Sequence, residues 1–198
     1  MLSEDKCIQT RADLREWLAL EYRRYPLTAR HILPYLFQSS EGAVLHRHTK
    51  LLRTTEYHLN NGHRLRAAWY NARLLRLQTR YSLHVPLNCL GKGVQIAHLY
   101  PLQMNWGMSV GTDCRILSGV MILGDDTTEN RAPVIGDHVT LCAGCKIIGG
   151  VQLADNITVG AGAVVTKSFL EPGVIIAGVP AKIIGVKKGF ESTKETHA

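Results

Sequence analysis

The chain has 198 residues, 45% of them hydrophobic, and a formal net charge of +7, which suits one medium domain, or a domain with a sizeable appendage, and supplies enough apolar material for a core. No window approaches the roughly 18 continuous apolar residues of a membrane span, and the opening MLSEDKCIQTRADLREW is too charged for a secretory signal, so no membrane span is expected and the expected location is cytoplasmic. The five cysteines, Cys7, Cys89, Cys114, Cys142 and Cys145, are odd in number and scattered, which argues against a disulfide framework and for reduced thiols.

The positive excess lies entirely in the first part of the chain. Residues 1–82 carry 14 Lys+Arg against 7 Asp+Glu, whereas residues 83–198 carry 9 of each. Glycine divides in the opposite sense, with only Gly42 and Gly62 before residue 83 and the other 16 of the 18 after it. A structural boundary is therefore expected near residue 82, separating a helical segment (1–82) from a repeat domain (83–186) and a polar tail (187–198).

Within the first segment, TRADLREWLALEYRR sets Leu14, Trp17, Leu18 and Tyr22 at helical spacing behind Thr10, with Asp13 three residues on to complete a capping pattern. Pro26 ends this helix and Thr28 can begin a short second one. Two longer helices are expected around EGAVLHRHTKLLRTTEYHLN and GHRLRAAWYNARLLRLQTRY, split at Asn60-Asn61-Gly62. Four helices would make a small bundle. Its arginines are assigned mostly to polar faces, and with no nucleic-acid motif present, no nucleic-acid partner is expected. His46, His48, His58 and His63 lack cysteines or acids at ligand spacing, so no metal site is expected.

The second segment has a different period. Ile135, Leu141, Ile147, Leu153, Val159 and Val165 recur every six residues, and Val139, Cys145, Val151, Ile157 and Ala163 follow the first five at four positions. Neither a helix nor simple alternation gives this pattern, whereas a parallel β-helix with hexapeptide sides does. Upstream the phase reads Leu90, Ile96, Leu102, slips by two and resumes at Val110, Ile116, Ile122, while residues 123–134 break it and are expected to protrude. In this register Cys145 points inward, so Cys142 and Cys145 are not read as a zinc or redox pair.

The same register turns His98 outward. It stands two positions after the inward Ile96, and with three sides per coil the equivalent position on successive coils is Ser118, Ala143 and Ala161. Coils about 4.8 Å apart put Ala161 about 14 Å from His98 along a track of small residues. One base at the head of such a track suits a long, thin ligand whose reactive end meets the imidazole.

With VPLNCLGKGVQIAH, APVIGDHVTLCAGCKIIGGVQLADNITVGAGAVVTKS and IIAGVPAKIIG, the chain resembles the hexapeptide-repeat acyltransferases, in particular the serine acetyltransferase-like branch that includes O-acetyltransferases of capsule and exopolysaccharide synthesis. The resemblance implies an α+β fold, an N-terminal helical bundle followed by a left-handed parallel β-helix. It also implies acetyl-CoA as cosubstrate, no metal, and a homotrimer with active sites between subunits. His98 in IAH matches the histidine that acts as general base. Ala143 and Ala161 match positions lining the coenzyme A groove, and Thr166, Lys167 and Lys182 match those near its adenine and phosphate end. Asn105 and Arg131 are the candidate substrate-binding residues.

Three family positions differ. Leu83 stands where serine acetyltransferases have an aspartate that orients the histidine, Ala97 where they have an acid before it, and Ala132 where they have a second histidine after Arg131. His84 and a backbone carbonyl are left as alternatives to fix the His98 tautomer. The expected activity is therefore acetyl transfer to a small-molecule or glycan hydroxyl, with a sugar or polysaccharide precursor preferred. L-Serine is the alternative acceptor and a non-catalytic scaffold the alternative role.

Overall fold

The computed structural model of the chain describes residues 7–23, 40–124 and 132–189. The short helix expected from Thr28, the candidate Arg131 and the end of the polar tail lie outside the described residues.

Helix α1 (Arg11–Tyr22) starts on the expected capping pair: Thr10 Oγ1 accepts the Asp13 N–H at 3.1 Å, and the Asp13 carboxylate accepts the Thr10 N–H at 2.8 Å. Helix α2 (Glu41–Asn60) is capped by Ser40, whose Oγ accepts the Ala43 N–H at 3.3 Å. After the Asn61-Gly62 break, α3 (Arg64–Tyr81) runs to Ser82, whose left-handed conformation (φ 54°) ends the helix and turns the chain into the first strand.

Fourteen short strands follow, forming three sheets wrapped about one axis. The first side stacks β1 (Leu83–His84), β3 (Leu102–Met104), β6 (Met121–Leu123), β9 (Lys146–Ile148) and β12 (Val164–Val165). A second stacks β4 (Ser109–Val110), β7 (Val134–Ile135) and β10 (Gln152–Leu153). The third stacks β2 (Gln95–Ile96), β5 (Arg115–Ile116), β8 (Thr140–Leu141), β11 (Thr158–Val159) and β13 (Val174–Ala177), with β14 (Lys182–Val186) on its edge. All pairings are parallel except β13 with β14. Every predicted inward position from Ile135 to Val165 is buried, and so are the five that follow at four residues' distance. At about 1.5–3 kcal/mol for each buried aliphatic side chain, this axis is the main source of the solenoid's stability. Coils approach closely where side chains would collide: a Cβ on Gly111 would lie 2.6 Å from the Gly136 carbonyl, so that corner admits only glycine.

Two expectations change. Met104, not Leu102, pairs with Ile122, so the inward run is Leu90, Ile96, Met104, Val110, and the two extra residues fall between Ile96 and Met104. That is the corner carrying His98. Leu102 is buried as well, beside Leu83, because positions two apart on a strand share a face. The other change is Arg53, which is not on a polar face but 1% exposed. Its guanidinium bonds Glu21 on α1 (2.7 Å), Glu56 on α2 (3.0 Å) and the carbonyls of Leu90 and Gly91 (2.9 Å each) in the first coil. One side chain thus ties both helices to the solenoid.

Candidate active site

The β2 strand ends at Ile96, and the Ala97 N–H donates to the Ile116 carbonyl at 2.8 Å, holding the chain to the next coil up to the point where it departs. The enlarged corner follows, closed by Tyr100 N–H donating to the His98 carbonyl at 3.1 Å. The His98 side chain is 58% exposed, so it is not a core histidine.

Pairing of Ile96 with Ile116, Ile116 with Leu141 and Leu141 with Val159 brings His98, Ser118, Ala143 and Ala161 into one rank on the third side. Backbone bonds from Gly144 N–H to Ser118 O (2.8 Å) and Gly162 N–H to Ala143 O (2.9 Å) fix their spacing. Gly144 and Gly162 have open space where a Cβ would stand, so the rank is bordered by an unobstructed ledge able to take an extended chain. Beyond Ala161, the Ala181 N–H donates to Val164 O at 2.8 Å. That contact brings the strand carrying exposed Lys182 alongside the one leading to exposed Thr166 and Lys167. The Lys167 ammonium lies 5.5 Å from the Phe169 ring centre. Two cations therefore stand at the far end of the track from the imidazole, an arrangement that suits a ligand with an acyl end and a phosphate end.

The expected orienting groups are not the ones in place. His84 pairs with Gln103 across β1 and β3 and lines a groove of about 840 Å³ between α3 and the first side of the solenoid, with Gln103, Asn105, Trp106 and Ala132. Asn105 thus lines this groove, but His98 does not. The group that faces the imidazole is Glu41, the first residue of α2: its Oε1 is 3.3 Å from His98 Nδ1 and also accepts the Leu99 N–H. Nothing in the local sequence around His98 points to a residue 57 positions earlier, and only the packing of α2 across the first coils brings it there. With a carboxylate on Nδ1, the proton of the neutral ring belongs on Nδ1 and the lone pair on Nε2.

Several other histidines and cysteines among the described residues have structural surroundings. His46 stacks on Tyr22 with centroids 3.8 Å apart, and His58 pairs with His63, Nδ1 to Nδ1, at 3.2 Å. Among the described residues no three His, Cys, Asp or Glu side chains gather as a metal site. Cys145 is buried, and burial pushes its thiol up to about 12, while Cys142 is half-buried on the turn.

Residues 132–167 match the family described as "Bacterial transferase hexapeptide (six repeats)". A serine acetyltransferase of Buchnera aphidicola (subsp. Schizaphis graminum) is 32% identical over 155 residues, covering 73% of this chain and 59% of the relative. The serine acetyltransferase of Mycobacterium tuberculosis is 34% identical over 136 residues, 63% of this chain and 58% of the relative. The chain thus spans less than two thirds of the length of these curated relatives. Among solved structures, Neisseria gonorrhoeae serine acetyltransferase superposes with a TM-score of 0.64 at 23% identity, over 90% of this chain and 69% of that one. A serine acetyltransferase in complex with CoA gives 0.62 at 18% identity, over 88% and 71%. These likenesses assign the solenoid to the left-handed parallel β-helices. Residues 132–167 thus carry the repeats of the bacterial transferase hexapeptide family, and by fold and sequence the chain as a whole is similar to the serine acetyltransferases.

Proposed function

We propose that this protein is an acetyl-CoA-dependent O-acetyltransferase in which His98 is the general base. The observation that carries the reading is the rank itself: one outward imidazole, then Ser118, Ala143 and Ala161 on successive coils, with Lys167 and Lys182 at the far end. Pantetheine lies along the small residues and the ledge beside Gly144 and Gly162. Thr166, Lys167 and Lys182 receive the adenine and phosphate end. The thioester is left at the His98 corner.

There Nε2 takes the proton of the acceptor hydroxyl as its oxygen attacks the thioester carbonyl, and the C–S bond breaks as the tetrahedral adduct collapses. The proton then passes from Nε2 to the departing thiolate, so His98 ends neutral. The exposed ledge forms only one wall of a slot, and a homotrimer with each site closed by a neighbouring subunit supplies the other.

L-Serine is the acceptor that the relatives' names support. A sugar hydroxyl is the second reading, favoured by Ala97 and Ala132. Both leave methyl groups where the serine-specific branch has an acid and a histidine. Thiol release from acetyl-CoA against L-serine, free sugars and nucleotide sugars separates the two. Turnover with serine alone leaves the first, turnover with sugars alone the second. In the same assay His98→Ala should lose at least roughly 100-fold in kcat, the usual share of a general base, while the trimer persists. Unchanged turnover by His98→Ala would sink the assignment.

A further inference from the structure

We infer that Glu41, delivered by the helical segment, is the positioning residue of His98, so that α2 completes a site otherwise built on the solenoid. The inference rests on the reading of His98 as the base. Four observations carry it. The Glu41 carboxylate meets Nδ1, not Nε2, at 3.3 Å, the one arrangement that leaves Nε2 unprotonated for the acceptor. The same Oε1 accepts the Leu99 N–H, so the carboxylate is clamped to the backbone of the corner it serves and its position is referenced to the imidazole rather than to solvent. The corner itself is enlarged by two residues relative to the hexad register, which lets the chain bulge outward toward the start of α2. And the upstream position from which the solenoid could have supplied a carboxylate is Leu83, turned into the core at 0% exposure.

Helix α2 is fixed to the first coils at two separate points. Arg53 binds the Leu90 and Gly91 carbonyls, and Glu41 lies twelve residues, about 18 Å of helix, earlier. A carboxylate on a helix pinned in this way holds the ring in one orientation. Because both partners are about half exposed (58% and 47%), the contact contributes little to folding stability. Its effect is on the tautomer and, as the ring takes up the acceptor proton, on the imidazolium.

The test uses the full-length protein with Glu41→Ala and Glu41→Gln. kcat should fall at least roughly 10-fold, toward the ~10⁴-fold loss seen when the buried carboxylate that orients a general-base histidine is replaced, with KM for acetyl-CoA unchanged. Nitrogen-15 NMR of the labelled His98 ring should show Nδ1–H in the parent protein and a population shifted toward Nε2–H in Glu41→Ala, a change that a merely structural residue would not produce. If His98→Ala is inactive while both Glu41 variants keep the parent kcat and the parent tautomer, the positioning role is overturned and the general-base reading stands. If His98→Ala keeps full turnover, the general-base reading falls, and the tautomer shift alone decides whether Glu41 orients the ring.

Discussion

Replacing Arg53 by methionine should cost about 4 kcal/mol of stability, within the range for breaking a buried ion pair. The guanidinium is 1% exposed and sits 4.8 Å from the Trp17 ring centre. Removing it strands two buried carboxylates, Glu21 and Glu56, and leaves the Leu90 and Gly91 carbonyls without their donors. Burial already raises the Glu56 carboxyl above the usual range even with Arg53 present. Adding Glu56→Gln to Arg53→Met should therefore recover about 1–2 kcal/mol, because Gln Oε1 still accepts the Asn88 N–H that Glu56 Oε1 accepts at 2.8 Å and no charge remains there. Urea unfolding followed by circular dichroism and by fluorescence reads both changes, Trp17 being the buried tryptophan that reports on α1. A loss below about 1 kcal/mol, or a double variant no more stable than the single one, would refute the view that Arg53 is the clamp between the helices and the first coil.

Acid should weaken the fold through His48. Gln78 Nε2 donates to His48 Nε2 at 3.2 Å and to the Val85 carbonyl at 2.9 Å, so the ring is held neutral, and burial lowers it from 6.5 to about 4. The unfolded chain binds this proton more tightly, so stability is complete above about pH 6.5 and falls as pH drops toward 4. Between pH 7 and pH 5 the His48 share of the loss is about 2 kcal/mol, visible as a lower urea midpoint; His48→Gln should remove that share and leave the one due to His46, which burial also lowers to about 4. For the thiols, Cys114 and Cys145 are buried and both are pushed up to about 12. Under native conditions they should resist a disulfide reagent that labels half-buried Cys142, with unfolding required to expose them. Native labelling of Cys145 at the rate of Cys142 would contradict the inward register.

The solenoid was legible in the sequence because its signal is repeated: six aliphatic positions in one phase leave no competing period, and the rank of His98, Ser118, Ala143 and Ala161 follows by counting. The misplaced insertion has a definite cause. Leu102 and Met104 are both apolar and both on the inner face of β3, so the hexad count cannot choose between them, and only pairing of Met104 with Ile122 does. Arg53 and Glu41 escaped for a different reason. Each is a charged residue on a helix whose partner in the solenoid lies 37 or more positions away, and local pattern assigns such residues to solvent. Their roles exist only once α2 is laid against the first coils. His84 was a plausible orienter by sequence proximity, yet strand β1 carries it to another side of the prism.

The last strand has a consequence for assembly. A stack of parallel coils has no intrinsic length, since each finished coil presents a row of unpaired amides and carbonyls on which another could grow. Here β14 folds back antiparallel on β13 and turns Lys182 and the exposed Ile183, Ile184 and Val186 outward, while at the opposite end Arg53 occupies carbonyls of the first coil and α1 lies over Gly93 through Leu20. The reversal acts as a stop codon written in hydrogen bonds. It makes the number of coils a property of the single chain and keeps a fibre-forming architecture discrete.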